Sequence, residues 1–235
     1  MDFSVIVPAR LGAARLPAKP LADIGGRPLI VHVLERARQA GAARVVAAVD
    51  DDQIAAAATA AGFEAVRTGE CSCGSERVAQ AAAQLELEGP IVNLQGDEPF
   101  IDPDTIAATA RLAAEDGGCA TAAAALAAQT IADASTVRMV IDDDSNALYF
   151  SRAPIPHGSD EALAHIGIYA FASRQLLAKL TALPAAKLEK SERLEQLRWL
   201  AAGQRIRVLL VSEFTAGIDT PEDLAAARNR HEQRN

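Results

Sequence analysis

The chain has 235 residues, half of them hydrophobic and 23% charged, with a formal net charge of -8. That length suits one domain or two small ones with a sizeable core, and the apolar content excludes a disordered chain. The acidic balance argues against a nucleic-acid-binding face, and no apolar run reaches the roughly 18 residues that cross a bilayer.

Met1-Asp2-Phe3 places an acid where a signal peptide needs a base, which gives the expectation of a cytoplasmic protein. Phe3 to Val7 reads as a strand ended by Pro8. A long loop punctuated by Pro17, Pro20, Gly25, Gly26 and Pro28 follows it. Leu29, Ile30, Val33, Leu34 and Ala37 form one stripe of a helix closed by Gly41. Val45 to Val49 is a second strand, Asp51 to Ala61 a helix, and Phe63 to Val66 a third strand. After a polar turn, Ser75 is expected to cap a helix running to about Glu88, and Ile91 to Leu94 is the fourth strand.

Beyond it, Asp104 to Glu115 is helical, whereas Cys119 to Ala127 suits a buried strand or a helix equally. The 52 alanines favour helices packed through small side chains, so they leave that segment open. Val137 to Ile141 and Ala147 to Phe150 read as a hairpin with an acidic tip at Asp142-Asp143-Asp144-Ser145-Asn146. Strand His165 to Phe171, helices Ser173 to Leu180 and Leu188 to Ala202, strand Ile206 to Val211 and a helix from Pro221 complete the chain. Alternation of this kind gives one α/β domain over residues 1–235, with a mostly parallel sheet flanked by helices and an inserted antiparallel portion. Three cysteines, Cys71, Cys73 and Cys119, are too few for a disulfide framework, and the histidines complete no zinc spacing.

Ligands in open α/β sheets bind at the carboxyl ends of the strands. After the first strand, Arg10, Arg15 and Lys19 stand among small residues with no acid between Asp2 and Asp23. Such a loop suits a polyphosphate, although neither Walker A nor G-x-G-x-x-G is present. A plain solvated basic loop fits the same charges. Asp97 in Gln95-Gly96-Asp97-Glu98-Pro99 and Asp219 in Gly217-Ile218-Asp219-Thr220-Pro221 are strand-end acids. They suit Mg²⁺ if the fold joins them, and otherwise cap helices. Gly74 and Ser75-Glu76-Arg77 open a helix whose N–H groups suit a nucleotide or serve only as a cap. Arg152, His165, Tyr169, Glu195 and Gln196 have the donors and acceptors to line a site for a polyhydroxylated acid, or are structural.

In order, these blocks resemble the sugar-nucleotide cytidylyltransferases. The first is Pro8-Ala9-Arg10…Arg15-Leu16-Pro17-x-Lys19-Pro20-Leu21, and Gly74-Ser75-Glu76-Arg77 and Asn93-Leu94-Gln95-Gly96-Asp97-Glu98-Pro99 follow. Phe150-Ser151-Arg152-Ala153-Pro154, His165-Ile166-Gly167-Ile168-Tyr169, Leu194-Glu195-Gln196 and Gly217-Ile218-Asp219-Thr220-Pro221 point to the branch that takes 3-deoxy-manno-octulosonate (Kdo). The resemblance implies a GT-A-like nucleotide-diphospho-sugar transferase fold, a homodimer and the reaction CTP + Kdo → CMP-Kdo + diphosphate, which activates the sugar for lipopolysaccharide synthesis. It implies that Arg10, Arg15 and Lys19 hold the phosphates, that Gly74 and Arg77 line the nucleotide pocket, and that Asp97 and Asp219 bind Mg²⁺. Gln95, Arg152, His165, Tyr169, Glu195 and Gln196 would hold the sugar acid, with residues near 130–170 forming the sugar-side and dimerisation segment.

Two departures stand out. Cys71-Ser72-Cys73 replaces the family's His-x-Ser or His-x-Thr, and only residues 157 to 164 separate Pro156 from His165. Other readings are a cytidylyltransferase for a nonulosonate, for 8-amino-Kdo or for a polyol phosphate, and a GT-A glycosyltransferase. A catalytically inactive nucleotide-binding regulator is a further one.

Overall fold

The computed structural model describes residues 1–12, 15–126, 136–159 and 162–232. Strand β1 (Ser4–Ala9) starts the chain and alternates its side chains between the two faces of the sheet, Val5 and Val7 on one and Ile6 on the other. The following loop contains a single 3-10 turn at Lys19–Leu21 and a small hairpin of β2 (Asp23–Ile24) and β3 (Arg27–Pro28). Helix α1 (Leu29–Gln39), β4 (Arg44–Val49), α2 (Asp52–Ala60) and β5 (Glu64–Arg67) are the expected βα alternation. Then come α3 (Gly74–Gln84), β6 (Ile91–Leu94), α4 (Pro103–Asp116) and β7 (Cys119–Ala125). The second half holds β8 (Arg138–Ile141), β9 (Ala147–Ser151), β10 (Leu163–Phe171), α5 (Arg174–Thr181), α6 (Lys187–Glu192), α7 (Gln196–Ala201), β11 (Ile206–Val211) and α8 (Pro221–Glu232).

The main sheet runs β11-β7-β10-β6-β1-β4-β5, with β8 joining β10 to β9. Pairs β6–β1, β1–β4, β4–β5 and β11–β7 are parallel, while β10 is antiparallel to β6, β7 and β8. The expected parallel sheet with an antiparallel insertion is therefore present, and β10 is the strand where the two meet. Side chains of α1, α2 and α4 fill one face of the sheet, and those of α3, α5 and α7 fill the other.

Local differences from the sequence reading have physical causes. The alanine-rich segment from Cys119 is a strand, because it is enclosed between β10 and β11 and buried on both faces. The end of that segment, at Ala127, lies outside the described residues, as do 130–135 of the sugar-side segment and residues 160 and 161 of the short 157–164 stretch. Helix α3 begins two residues earlier than expected. Cys73 occupies its N-cap, and the Ser75 hydroxyl turns away to Glu195. The helix expected over 188–202 breaks at Arg193 (φ 57°), where the chain folds back as Arg198 Nε reaches Glu189 Oε2 at 2.8 Å.

Candidate active site

Three segments meet at the carboxyl ends of β1 and β6. Gly96 lies so close to β1 that a Cβ there would stand 3.0 Å from the Pro8 carbonyl oxygen, and only a glycine lets the two strand-end loops touch. The Ile218 N–H donates to the Asp97 carbonyl at 2.9 Å, which draws the segment carrying Asp219 onto the loop after β6. That segment is held in turn by Asp223, whose Oδ2 accepts from the N–H groups of Asp219 and Thr220 at 2.9 and 2.8 Å. The juxtaposition of Asp97 and Asp219, required by the sequence reading, is therefore made by one backbone hydrogen bond and by the Asp223 carboxylate.

Lys19, on the 3-10 turn, reaches both acids. Its Nζ donates to Asp97 Oδ2 at 2.7 Å and to Asp219 Oδ1 at 2.9 Å, while Arg15 pairs with Asp219 Oδ2 at 2.8 Å. Burial pulls the Lys19 ammonium down, but Asp97 and the hydrogen bonds to Asp219 and Asp97 outweigh it and hold its pKa above the ordinary value. Burial likewise opposes ionisation of Asp219, yet Lys19, Arg15 and Arg152 together hold its carboxyl below the usual range.

A cavity of about 380 Å³ opens beside this cluster. Arg10, Arg15, Lys19, Gly74, Arg77, Gln95, Asp97, Glu195 and Asp219 line it, so the structure gathers the expected nucleotide and acid residues around one space. Arg77 is buried, hydrogen-bonded to the Thr68 hydroxyl and 3.6 Å from Asp50, which makes it a wall of the cavity.

The remaining expected residues do not line this cavity. His165 is half-buried on β10, its Nε2 2.9 Å from the Thr121 hydroxyl, and desolvation lowers its pKa to about 3. Tyr169 is buried beside it, with ring centroids 5.0 Å apart, and Gln196 is buried at the start of α7. Arg152 follows β9, where its backbone N–H donates to Glu192 at 3.2 Å.

The cavity's inner end is polar. Asn93 Nδ2 donates to Ser75 Oγ at 3.0 Å, and that hydroxyl donates to Glu195 Oε1 at 2.7 Å. Burial raises the Glu195 carboxyl, partly offset by the Cys73 thiol and Ser75. Burial and Glu195 push the Cys73 thiol up to about 12, so it is a neutral donor rather than a nucleophile. Asn93 Oδ1, Tyr169 OH and Glu195 Oε2 are buried with no hydrogen-bond partner among the described residues. Sequence reasoning offered Ser75 as a nucleotide contact or cap but missed Asn93 and Cys73 as site residues. A polar Asn93 inside the apolar run Ile91-Val92-Asn93-Leu94 was the available signal. It also missed Glu98, whose carboxyl is pushed up to about 8 by burial and by Asp97.

Comparison with known proteins agrees with this geometry. The cytidylyltransferase family profile matches residues 4–206. A protein of Anaeromyxobacter sp. (strain Fw109-5) named 3-deoxy-manno-octulosonate cytidylyltransferase is 51% identical, covering 96% of this chain and 95% of its own. One of the same name from Acidovorax sp. (strain JS42) is 44% identical, covering 96% of each chain. A solved CMP:2-keto-3-deoxy-manno-octonic acid synthetase complexed with CTP superposes with a TM-score of 0.93 at 38% identity, over 100% of both chains. A putative glucose-1-phosphate thymidylyltransferase from Bacillus anthracis shares the fold alone, with a TM-score of 0.73 at 14% identity, covering 100% of this chain and 97% of that one. The chain belongs to the cytidylyltransferase family of nucleotidyltransferases, among the proteins named 3-deoxy-manno-octulosonate cytidylyltransferase.

Proposed function

We propose that the chain transfers a cytidylyl group from CTP to Kdo, releasing diphosphate and CMP-Kdo for lipopolysaccharide synthesis. The observation that carries this reading is the meeting of Lys19, Asp97 and Asp219 at the mouth of a cavity rimmed by Arg10 and Arg15. Five charges from three distant segments have no structural need to converge there. A triphosphate gives them one.

Arg10, Arg15 and Lys19 bind the phosphates, whose extra charge suits three cations on one short loop. Gly74 lets the backbone at the start of α3 approach the nucleotide, and buried Arg77 shapes that wall. On the sugar side, Arg152 matches a carboxylate with its planar fork. Gln95, His165, Tyr169, Glu195 and Gln196 supply partners for hydroxyls, and the orphaned Tyr169 OH and Glu195 Oε2 support that assignment. The anomeric hydroxyl attacks the α-phosphorus in line with departing diphosphate, so the residues act by positioning and by neutralising charge.

The acid pair fits Mg²⁺. Two hard carboxylates converge on the point now held by one ammonium, which suits a cation that takes one or two protein carboxylates and completes its shell with phosphate oxygens and water. Asp97 and Asp219 would hold it, and when bound it would neutralise phosphate charge and favour loss of the sugar hydroxyl's proton. The reading further places the enzyme in the cytoplasm as a homodimer. No helix among the described residues is long and apolar enough to cross a membrane.

The test is diphosphate release with Mg²⁺ and each of the four nucleoside triphosphates, with and without Kdo. Release only with CTP plus Kdo is the expected result. Release with CTP and another sugar acid would keep the reaction and overturn the sugar. No release with any pair, despite CTP binding, would overturn the enzymatic reading.

A further inference from the structure

We propose that Glu98 is a positioning residue: its buried carboxyl clamps the loop carrying Asp97 to β10 at Gly167, and so sets Asp97 against Asp219 and the sugar side. This rests on the reading that Asp97 and Asp219 are the working acid pair. Glu98 is 6% exposed, and its Oε1 accepts the Gly167 N–H at 3.0 Å. The Gly167 carbonyl in turn accepts the Gln95 N–H at 2.9 Å. One loop, 95–98, thus grips both backbone groups of a single residue in β10. That residue sits where the pairing of β10 with β7 shifts register, between Ile166 and Tyr169, so ladder bonds alone hold it less firmly.

The space around the clamp is tailored to it. A Cβ at Gly167 would stand 2.8 Å from Glu98 Oε1 and 3.2 Å from Gln95 Cβ, and one at Gly217 would stand 3.5 Å from the same oxygen and 3.4 Å from the Asp97 carbonyl. Three segments therefore close on the Glu98 side chain: the loop bearing Asp97, the strand bearing His165 and Tyr169, and the segment that leads to Asp219. A polar side chain buried at such a junction is retained for geometry, because an apolar one would leave the Gly167 N–H unpaired. Glu98 does not line the nucleotide cavity, so its influence on the reaction passes through Asp97 and β10.

The experiment compares wild type, Glu98→Ala, Glu98→Gln and Gly167→Ala in three measurements. These are CTP affinity by calorimetry in EDTA, Mn²⁺ binding in the presence of CTP by electron paramagnetic resonance, and steady-state turnover with CTP and Kdo. For Glu98→Ala the expected result is a CTP affinity within twofold of wild type, Mn²⁺ binding weakened at least fivefold, a Kdo KM raised at least fivefold and a kcat lowered at least thirtyfold. Glu98→Gln, whose amide oxygen accepts the same N–H, should restore most of the kcat and the Mn²⁺ affinity. Gly167→Ala should reproduce the alanine pattern with the carboxyl intact, and it decides the matter if Glu98→Ala does not fold. Wild-type Mn²⁺ affinity and Kdo KM in the alanine variants would overturn the proposal, as would equal loss of CTP affinity in all three variants. A wild type that binds Mn²⁺ yet releases no diphosphate would overturn the proposed function instead, and the Mn²⁺ series would still judge Glu98.

Discussion

Replacing Lys19 with methionine removes the charge while keeping most of the stem. In the free enzyme the ammonium lies 2.7 Å from one carboxylate and 2.9 Å from another, with its side chain 14% exposed. At an effective dielectric near 20, each contact carries roughly 6 kcal/mol of attraction before desolvation is subtracted. A cation so poised would be available to phosphate oxygens if a divalent ion took over the acids, as the proposed function requires. Losing one preorganised charge donor of this kind costs about 3–4 kcal/mol in the transition state, or roughly 10²–10³ in turnover. Diphosphate release at saturating CTP and Mg²⁺ should therefore fall by that factor, with the fold checked by circular dichroism. The same variant should bind Mn²⁺ more tightly than wild type in the absence of nucleotide, about tenfold, because two facing carboxylates are left without their counter-ion. Retention of more than a tenth of wild-type kcat/KM, or weaker Mn²⁺ binding, would refute this account of the cluster.

Further outcomes follow from the packing. Gly96→Ala forces a Cβ to 3.0 Å from the Pro8 carbonyl, which backbone cannot easily yield, and should cost about 1–3 kcal/mol in urea unfolding together with most of the activity. Arg77→Ala leaves the Thr68 hydroxyl and Asp50 without their partner and opens the cavity wall, so it should raise the KM for CTP while lowering stability by about 1–3 kcal/mol. Desolvation of half-buried His165 holds its pKa at about 3 in the folded chain against 6.5 in the unfolded one, so only the unfolded chain takes up the proton between those values. Stability should thus decline as pH falls below about 6.5, by up to about 1.4 kcal/mol per pH unit from this residue, and urea midpoints of His165→Gln should show a shallower decline.

Much of the site was legible because its residues sit at strand ends, and strand ends follow from short apolar runs bounded by proline and glycine. The Gln95-Gly96 pair marked the carboxyl end of β6, and β1 runs only two residues past the expected end at Val7, so Arg10, Lys19 and Asp97 fall on one edge. What the sequence could not supply was tertiary. The break at Arg193 is invisible to helical periodicity, since Leu188 to Ala202 carries good helix formers throughout. Yet that break lets Glu195 start α7 facing Ser75 instead of riding on a solvated helix. The strand at Cys119 was equally ambiguous, because alanine's preference for helix yields when both faces and both edges of the segment are covered.

The apo cluster also explains how so acidic a chain keeps a polyphosphate site. Asp97 and Asp219 would repel CTP if they stood bare at the mouth of the cavity. Lys19 and Arg15 neutralise them in the free state and hold the first loop against the Asp219 segment. On the proposed reading, a nucleotide arriving with a divalent ion would exchange one set of pairs for another, with Asp97 and Asp219 holding the ion and Lys19 and Arg15 turning to phosphate. Such an exchange would leave no charge uncovered at either end, so binding would not absorb the several kcal/mol that an isolated buried ion costs. The arrangement demands that both acids and both cations share one point, and the Ile218–Asp97 backbone bond and the Glu98–Gly167 bond are the contacts that keep them there.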